Sequence, residues 1–306
     1  MICIIVCTDC QQLIRMTLRK IFFAHDHRFR TIWRLLIFIS LLAITTSPLI
    51  LIKNAVLQFL GATLVLISGL YLNARYLDKR PLSTYGIRFK GISLNFFMVG
   101  ILIGSFSVCF ILVLGILGGT LSISESQTNP DLKVLLLFGL KMIMVAIIEE
   151  TLYRGYFFTN LYAGFQSKTG IHNLALVGAI VISSIIFGLA HFSNHNASVV
   201  SMSFLTVNGI VWCIPFILTN NLGLSIGLHA SWNFCQSLLG FTMSGNKAEN
   251  SIFNIHNTGD QIWTGGDSGP EAGLLGLGGY MLMLLLTLAY LKITKPGGYP
   301  VKSQLR

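Results

Sequence analysis

Glu149 and Glu150 stand side by side near the end of an apolar run that begins at Leu132, and Arg154 follows one helical turn later. An ionised side chain inside hydrocarbon costs roughly 2.5–3.5 kcal/mol on insertion scales, so these three call for partners or for a task. On a helix Glu150 and Arg154 share a face and can pair, whereas Glu149 points about 100° away. The stretch Met144–Gly155 thus offers a neutralised pair and a spare carboxylate. By itself it also fits a charge cluster that merely marks the end of a membrane span. Two later stretches bear on that choice: His191 closes the run Ser183–Phe192, and His229 lies four residues before Asn233, on the same helical face, within Leu222–Leu239. Alone, His191 reads as an interfacial histidine, and His229 with Asn233 as a hydrogen bond between helices. Together, carboxylate, imidazole and amide are the parts that activate a water, carry its proton and stabilise a developing oxyanion. Hydrolysis is the matching reaction class. No serine or cysteine stands beside a base in a nucleophile context, so attack by water is expected rather than an acyl-enzyme.

These residues need helices to carry them, and the composition says where those helices must be. The chain has 306 residues, 53% of them hydrophobic and 10% charged, with a mean hydropathy of +0.72. So much apolar surface cannot face water, and an integral membrane protein follows. Runs long enough to cross a roughly 30 Å hydrocarbon core occur at Trp33–Ile52, Ala55–Asn73, Ile92–Leu117, Leu132–Ile148, Leu174–Phe192, Val199–Thr219, Leu222–Leu239 and Leu274–Leu291. They are continuously apolar, unlike the alternating strands of a barrel. The expected fold is all-α, a polytopic membrane bundle of about eight transmembrane helices. Its parts would be a basic N-terminal segment (1–31), scaffold helices (32–130), a core carrying the polar residues (131–241), and a mobile loop with the last span and a basic tail (242–306).

The net charge of +10 is concentrated in three places: Arg15 to Arg34, Arg75 to Lys90, and Lys292 to Arg306. Basic loops stay inside, so both termini are expected in the cytoplasm of a protein of the cell membrane. This distribution explains the charge through topology and the lipid bilayer, with no nucleic acid partner. The connector Tyr76–Ile87, broken by Pro81 and Gly86, is expected to lie on the headgroups, and the first two spans read as scaffold. Gly100 with Gly104, and Gly223 with Gly227, permit close helix contacts. The stretch Thr242–Pro270 is rich in Gly, Asn, Ser and Thr and shows no periodicity. Cys7 and Cys10 form a lone C-x-x-C after Cys3, while Cys109, Cys213 and Cys235 sit singly in apolar runs as small hydrophobes. No cleavable signal is evident, and Met16 is a candidate start.

In order, Glu149-Glu150-x-x-x-Arg154-Gly155, Phe187-x-x-x-His191 and His229-x-x-x-Asn233 on successive apolar helices resemble the CPBP (Abi) family of intramembrane proteases, which includes CAAX prenyl endopeptidases and proteins tied to bacteriocin processing and immunity. The resemblance covers roughly residues 140–240. It implies a membrane-associated peptide or protein substrate, with Glu149 activating the water, His191 assisting, and His229 with Asn233 lining the oxyanion site. Glu150 and Arg154 would hold the helix or help in proteolysis. A zinc version stays open beside it, in which Glu149, His191 and His229 ligate the metal and Glu150 is the base. No His-Glu-x-x-His is present, and the metal-free version, with no cofactor, is preferred. Rival readings are a non-proteolytic binding protein such as a bacteriocin immunity factor, and a proton-coupled transporter. One geometric difficulty stands: His191 lies about 28 Å along its helix from His172, but His229 only about 12 Å from a start near Asn221.

Overall fold

The computed structural model describes residues 20–24, 28–88, 91–125, 131–247 and 251–295. The expectations for Cys3, Cys7, Cys10, Met16 and the tail beyond Lys295 fall outside them. Long helices dominate: α1 (Thr31–Thr46, extended by a 3-10 turn Ser47–Leu51), α2 (Ala55–Tyr76), α3 (Gly91–Leu117), α4 (Leu132–Glu150), α5 (Thr159–Thr169), α6 (His172–Leu189), α7 (Val199–Thr219), α8 (Leu222–Leu239), the short α9 (Gln261–Thr264) and α10 (Leu274–Thr294). The fold is an all-α polytopic bundle. Its flanks carry bare leucines such as Leu64, Leu102, Leu136 and Leu285, each more than half exposed, as suits a surface solvated by lipid.

The count of eight spans needs correction. Among the described residues, six helices are long and apolar enough to cross a membrane: α1 with its 3-10 extension, α2, α3, α6, α7 and α10. The two expected spans that fall short, α4 and α8, are those that carry the polar residues. Lys133, Lys141, Glu149 and Glu150 interrupt α4, and His229, Asn233 and Gln236 dilute α8. Both helices turn polar side chains to the protein interior, Glu150 on α4 and His229 and Gln236 on α8.

The chain between α4 and α5 does not break. Thr151–Phe158 continues the helix with π-type winding. Such wide turns recur at functional sites. Gly155 lies in it because a Cβ there would come within 2.9 Å of the Tyr85 carbonyl oxygen. The connector that carries Tyr85 is not laid out on headgroups: Asp78 and Tyr85 are fully buried. Asp78 pairs with Arg34 of α1 at 2.6 Å and accepts hydrogen bonds from Asn73 of α2 at 2.9 Å, Asn160 of α5 at 3.0 Å and the Tyr85 hydroxyl. The scaffold helices thus contribute polar groups after all, to a knot that fixes α1 and α2 against α5.

The stretch after α8 also holds regular structure. Phe253–Asn257 (β2) pairs antiparallel with Leu121–Glu125 (β1), running from Leu121 opposite Asn257 to Glu125 opposite Phe253. Glu271, in the 3-10 turn before α10, is buried and accepts from Gln236 of α8, from the Ser244 backbone and from the Ser244 hydroxyl at 3.0 Å. These contacts roof the bundle at the end opposite the basic connector.

Candidate active site

The height mismatch resolves through where each helix begins. Glu149 and His191 are equally far along the chain from the left-handed Gly170 that caps α5, on antiparallel helices, so they return to one level. α8 starts further in. Its first residue, Leu222, donates its N–H to the Gly86 carbonyl at 3.1 Å and packs on Gly155, so about two turns of helix suffice to lift His229 to the carboxylates.

Glu149, His191, His229 and Asn233 line one cavity of about 350 Å³. Glu150 and Arg154 stand behind it, buried at 0% and 1% exposure. The two adjacent carboxylates have different lives. Glu150 Oε1 meets Arg154 Nη1 at 3.1 Å and accepts a hydrogen bond from His229 Nδ1 at 2.8 Å. Glu149 keeps 26% of its side chain exposed, and its Oε2 faces His229 Nε2 at 3.8 Å, beyond hydrogen-bond reach. Since a carboxylate only accepts, Nδ1 of His229 carries the proton toward Glu150, which fixes the ring and leaves Nε2 toward Glu149. His191 is fixed the same way: its Nδ1 donates to the Phe187 carbonyl at 2.8 Å, which leaves Nε2 as the nitrogen for chemistry.

Phe187 of the second motif and several residues not singled out in the sequence complete the setting. The Phe187 ring lies 4.4 Å from the Arg154 guanidinium carbon and 4.8 Å from the His191 ring, so this side chain joins two of the expected site residues. Trp212 of α7 covers His229 at 4.1 Å and the guanidinium at 5.5 Å. Tyr153, Asn208, Tyr280 and Glu271 also line the cavity. Asn208 and Trp212 are four apart on α7, a helical spacing visible in the sequence. The partner they face was not, because nothing in α7 indicates which neighbour it covers. The Asn208 Oδ1 and the Trp212 Nε1 are buried without a protein partner, so polar groups aim into this region that the chain itself does not satisfy.

The zinc set is not assembled. Among the described residues no three His, Cys, Asp or Glu side chains lie together in a way that could hold a metal ion. Glu149 Oε2 and His229 Nε2 lie 3.8 Å apart, and the Nδ1 bonds of His191 to the Phe187 carbonyl and of His229 to Glu150 leave each ring only Nε2 to offer. As they stand, Glu149, His191 and His229 form no three-donor set, so they do not fit a zinc centre.

What the fold and the cavity define is an integral membrane helix bundle with a carboxylate and imidazole site enclosed within it. Residues 131–235 match the family model described as type II CAAX prenyl endopeptidase Rce1-like, which is in keeping with the resemblance to the CPBP family of membrane proteases. The matched stretch runs from Asp131, which caps α4, into α8, and contains all the expected site residues. Neither the curated proteins nor the solved structures yield a match to the chain.

Proposed function

We propose that the protein is an intramembrane endopeptidase in which Glu149 activates a water molecule for attack on a peptide bond of a membrane-associated substrate, in the cell membrane with both chain termini in the cytoplasm. The observation that carries this reading is the asymmetry of the two adjacent carboxylates. Glu150 is enclosed and held by Arg154 and His229, whereas Glu149 opens on the cavity. In this mechanism the water oxygen bonds to the carbonyl carbon while its proton passes to Glu149. His229 and Asn233 line the cavity beside the developing oxyanion, with the Asn233 amide as the donor. The C–N bond then breaks as the leaving nitrogen takes up that proton, with His191 Nε2 as the relay. The family match supports proteolysis as the class of reaction, and the donor geometry supports glutamate rather than metal as the activator.

The test is cleavage of a membrane-peptide library by purified protein in lipid nanodiscs. Glu149→Gln is expected to remove all but a few per cent of turnover while the protein stays monodisperse, and Asn233→Ala to lower kcat by about 10²–10³. Wild-type turnover is expected to survive prolonged chelation. Substantial turnover by Glu149→Gln would take that residue out of the mechanism, and stoichiometric zinc that tracks with activity would replace the metal-free route.

A further inference from the structure

Three acids are buried among the described residues, and two of them have a cation: Asp78 pairs with Arg34, and Glu150 with Arg154. Glu271 has none. It lines the cavity, yet its carboxylate accepts only from neutral groups, the Gln236 amide and the backbone and hydroxyl of Ser244. Its counter-charge is missing. Two more polar groups of the same cavity are left over: Asn208 on α7 and Tyr280 on α10 are each 1% exposed, and the Asn208 Oδ1 and the Tyr280 hydroxyl have no hydrogen-bond partner. The polar neighbours of that hydroxyl are Glu271 and the Asn208 side chain, so acceptors from three elements gather in one place. Aromatic rings enclose them. The Trp232 ring lies 4.3 Å from that of Tyr280 and the Trp212 ring 6.0 Å from it, and the faces of such rings attract a cation. The indole N–H groups of Trp212 and Trp232, also unpartnered, are donors and suit the carbonyls of a peptide rather than its charge. Lys141, the one Lys or Arg lining the cavity among the described residues, rests on the Phe59 ring of α2 and leaves Glu271 unpaired.

We propose that Glu271, Asn208 and Tyr280 form a subsite for a primary ammonium of the substrate, supplied by a lysine side chain or by a free N-terminus. An ammonium has three N–H donors, one for each acceptor, and brings the charge that Glu271 lacks. A guanidinium asks for a planar fork of acceptors, which oxygens from three separate elements do not offer. The subsite lies close to the chemistry. Trp212 packs against Tyr280 and also covers His229, at 4.1 Å, so one ring separates the ammonium from the catalytic imidazole. An extended peptide advances about 3.3 Å per residue, which places the charge within about two residues of the bond cleaved. This inference rests on the reading of the protein as a protease acting at Glu149.

Three lipid-anchored degenerate peptide libraries separate the sources: N-acetylated peptides with one fixed Lys, the same peptides with norleucine in its place, and the norleucine peptides with a free N-terminus. Each is offered to full-length protein in nanodiscs and the products are sequenced by mass spectrometry. Whichever library supplies the ammonium is expected to be cut within two residues of it, roughly tenfold better than the acetylated norleucine peptides. Glu271→Gln is expected to erase that ratio chiefly through KM, and Tyr280→Phe, which keeps the ring and removes the oxygen, to lower it. A merely structural Glu271 would slow every library alike and leave the ratio as it is. Cleavage indifferent to the ammonium, or a ratio that persists in Glu271→Gln, would overturn the subsite and leave proteolysis standing; should Glu271→Gln not fold, a ratio unchanged in Tyr280→Phe would overturn it instead. If no library is cut, proteolysis itself fails. Retention of the same libraries by Glu149→Gln nanodiscs then judges the subsite separately: ratios to the acetylated norleucine peptides near one overturn it, and a ratio that Tyr280→Phe lowers upholds it.

Discussion

At the scale of single residues, Arg154 is the hinge of the site. Its guanidinium neutralises Glu150, rests on Phe187 and Trp212, and so holds the carboxylate that orients His229. Removing one partner of a buried pair leaves the other charged in low dielectric, which typically costs about 3–5 kcal/mol. Arg154→Ala is therefore expected to lower both thermal stability in detergent and yield. The double variant Glu150→Gln with Arg154→Met is expected to recover part of the loss, because Gln still accepts from His229 Nδ1 and Met keeps the aromatic contacts. Normal melting of Arg154→Ala would show the pair to be solvated. Glu271 supplies a pH dependence. Burial raises its pKa above the ordinary glutamate value, although hydrogen bonds from Ser244 and Gln236 work against that shift. For an acid whose folded pKa is raised, the contribution to stability is complete below the unfolded pKa and is lost as pH rises through the folded one. Wild-type melting temperature should thus carry a falling component with rising pH that Glu271→Gln lacks; parallel pH profiles for the two proteins would exclude it.

At the scale of elements, the placement of α8 decides where His229 stands, and glycines set that placement. A Cβ at Gly100 of α3 would come within 2.6 Å of the Leu224 carbonyl oxygen, and one at Gly227 of α8 would collide with the Phe97 carbonyl. Backbone therefore meets backbone across this pair, as small residues four apart allow. Gly227→Leu should force the helices apart, with a cost of about 1–3 kcal/mol or more for overpacking and a larger loss of turnover than of stability, since His229 lies just beyond. Measured turnover and melting for Gly227→Leu against the lipid-facing Leu285→Ala decide it: equal effects would deny α8 this role. The small-residue pairs were legible in the sequence, as were the helix-bundle class and the convergence of Glu149, His191, His229 and Asn233 on one cavity. What was not legible depends on contacts across the chain. The π winding of Thr151–Phe158 has no composition of its own. Trp212 and Asn208 look like core until α6 and α8 are placed against them. Glu271 hides in a Gly-rich stretch whose lack of periodicity reads as an irregular loop, because its order comes from Gln236 and Ser244, which lie well apart from it in sequence.

At the scale of the whole molecule, most of the positive charge lies at the end away from the cavity mouth, with Lys133 and Lys247 as exceptions. Arg34, Arg75, Lys79, Arg80, Arg88 and Lys292 gather where the connector and the starts of α1 and α3 meet, whereas Glu125, Asp131, Asp260, Asp267 and Glu271 lie at the end formed by β1, β2 and the turn before α10. The cavity reaches the second of these ends, through Asn194, Met243, Ser244 and Asn246. Basic segments are retained in the cytoplasm, so the cavity is expected to open away from it, and a substrate would meet Glu149 from the extracytoplasmic side. Single cysteines in a background without the native thiols report this directly. Lys247→Cys, exposed beside the cavity, should react with a membrane-impermeant maleimide on intact cells, and Ser83→Cys, exposed on the basic connector, only after permeabilisation. The reverse pattern would turn the molecule over in the bilayer. It would put the cavity in reach of cytoplasmic tails, and it would mean that the positive end is held outside by something stronger than its charge.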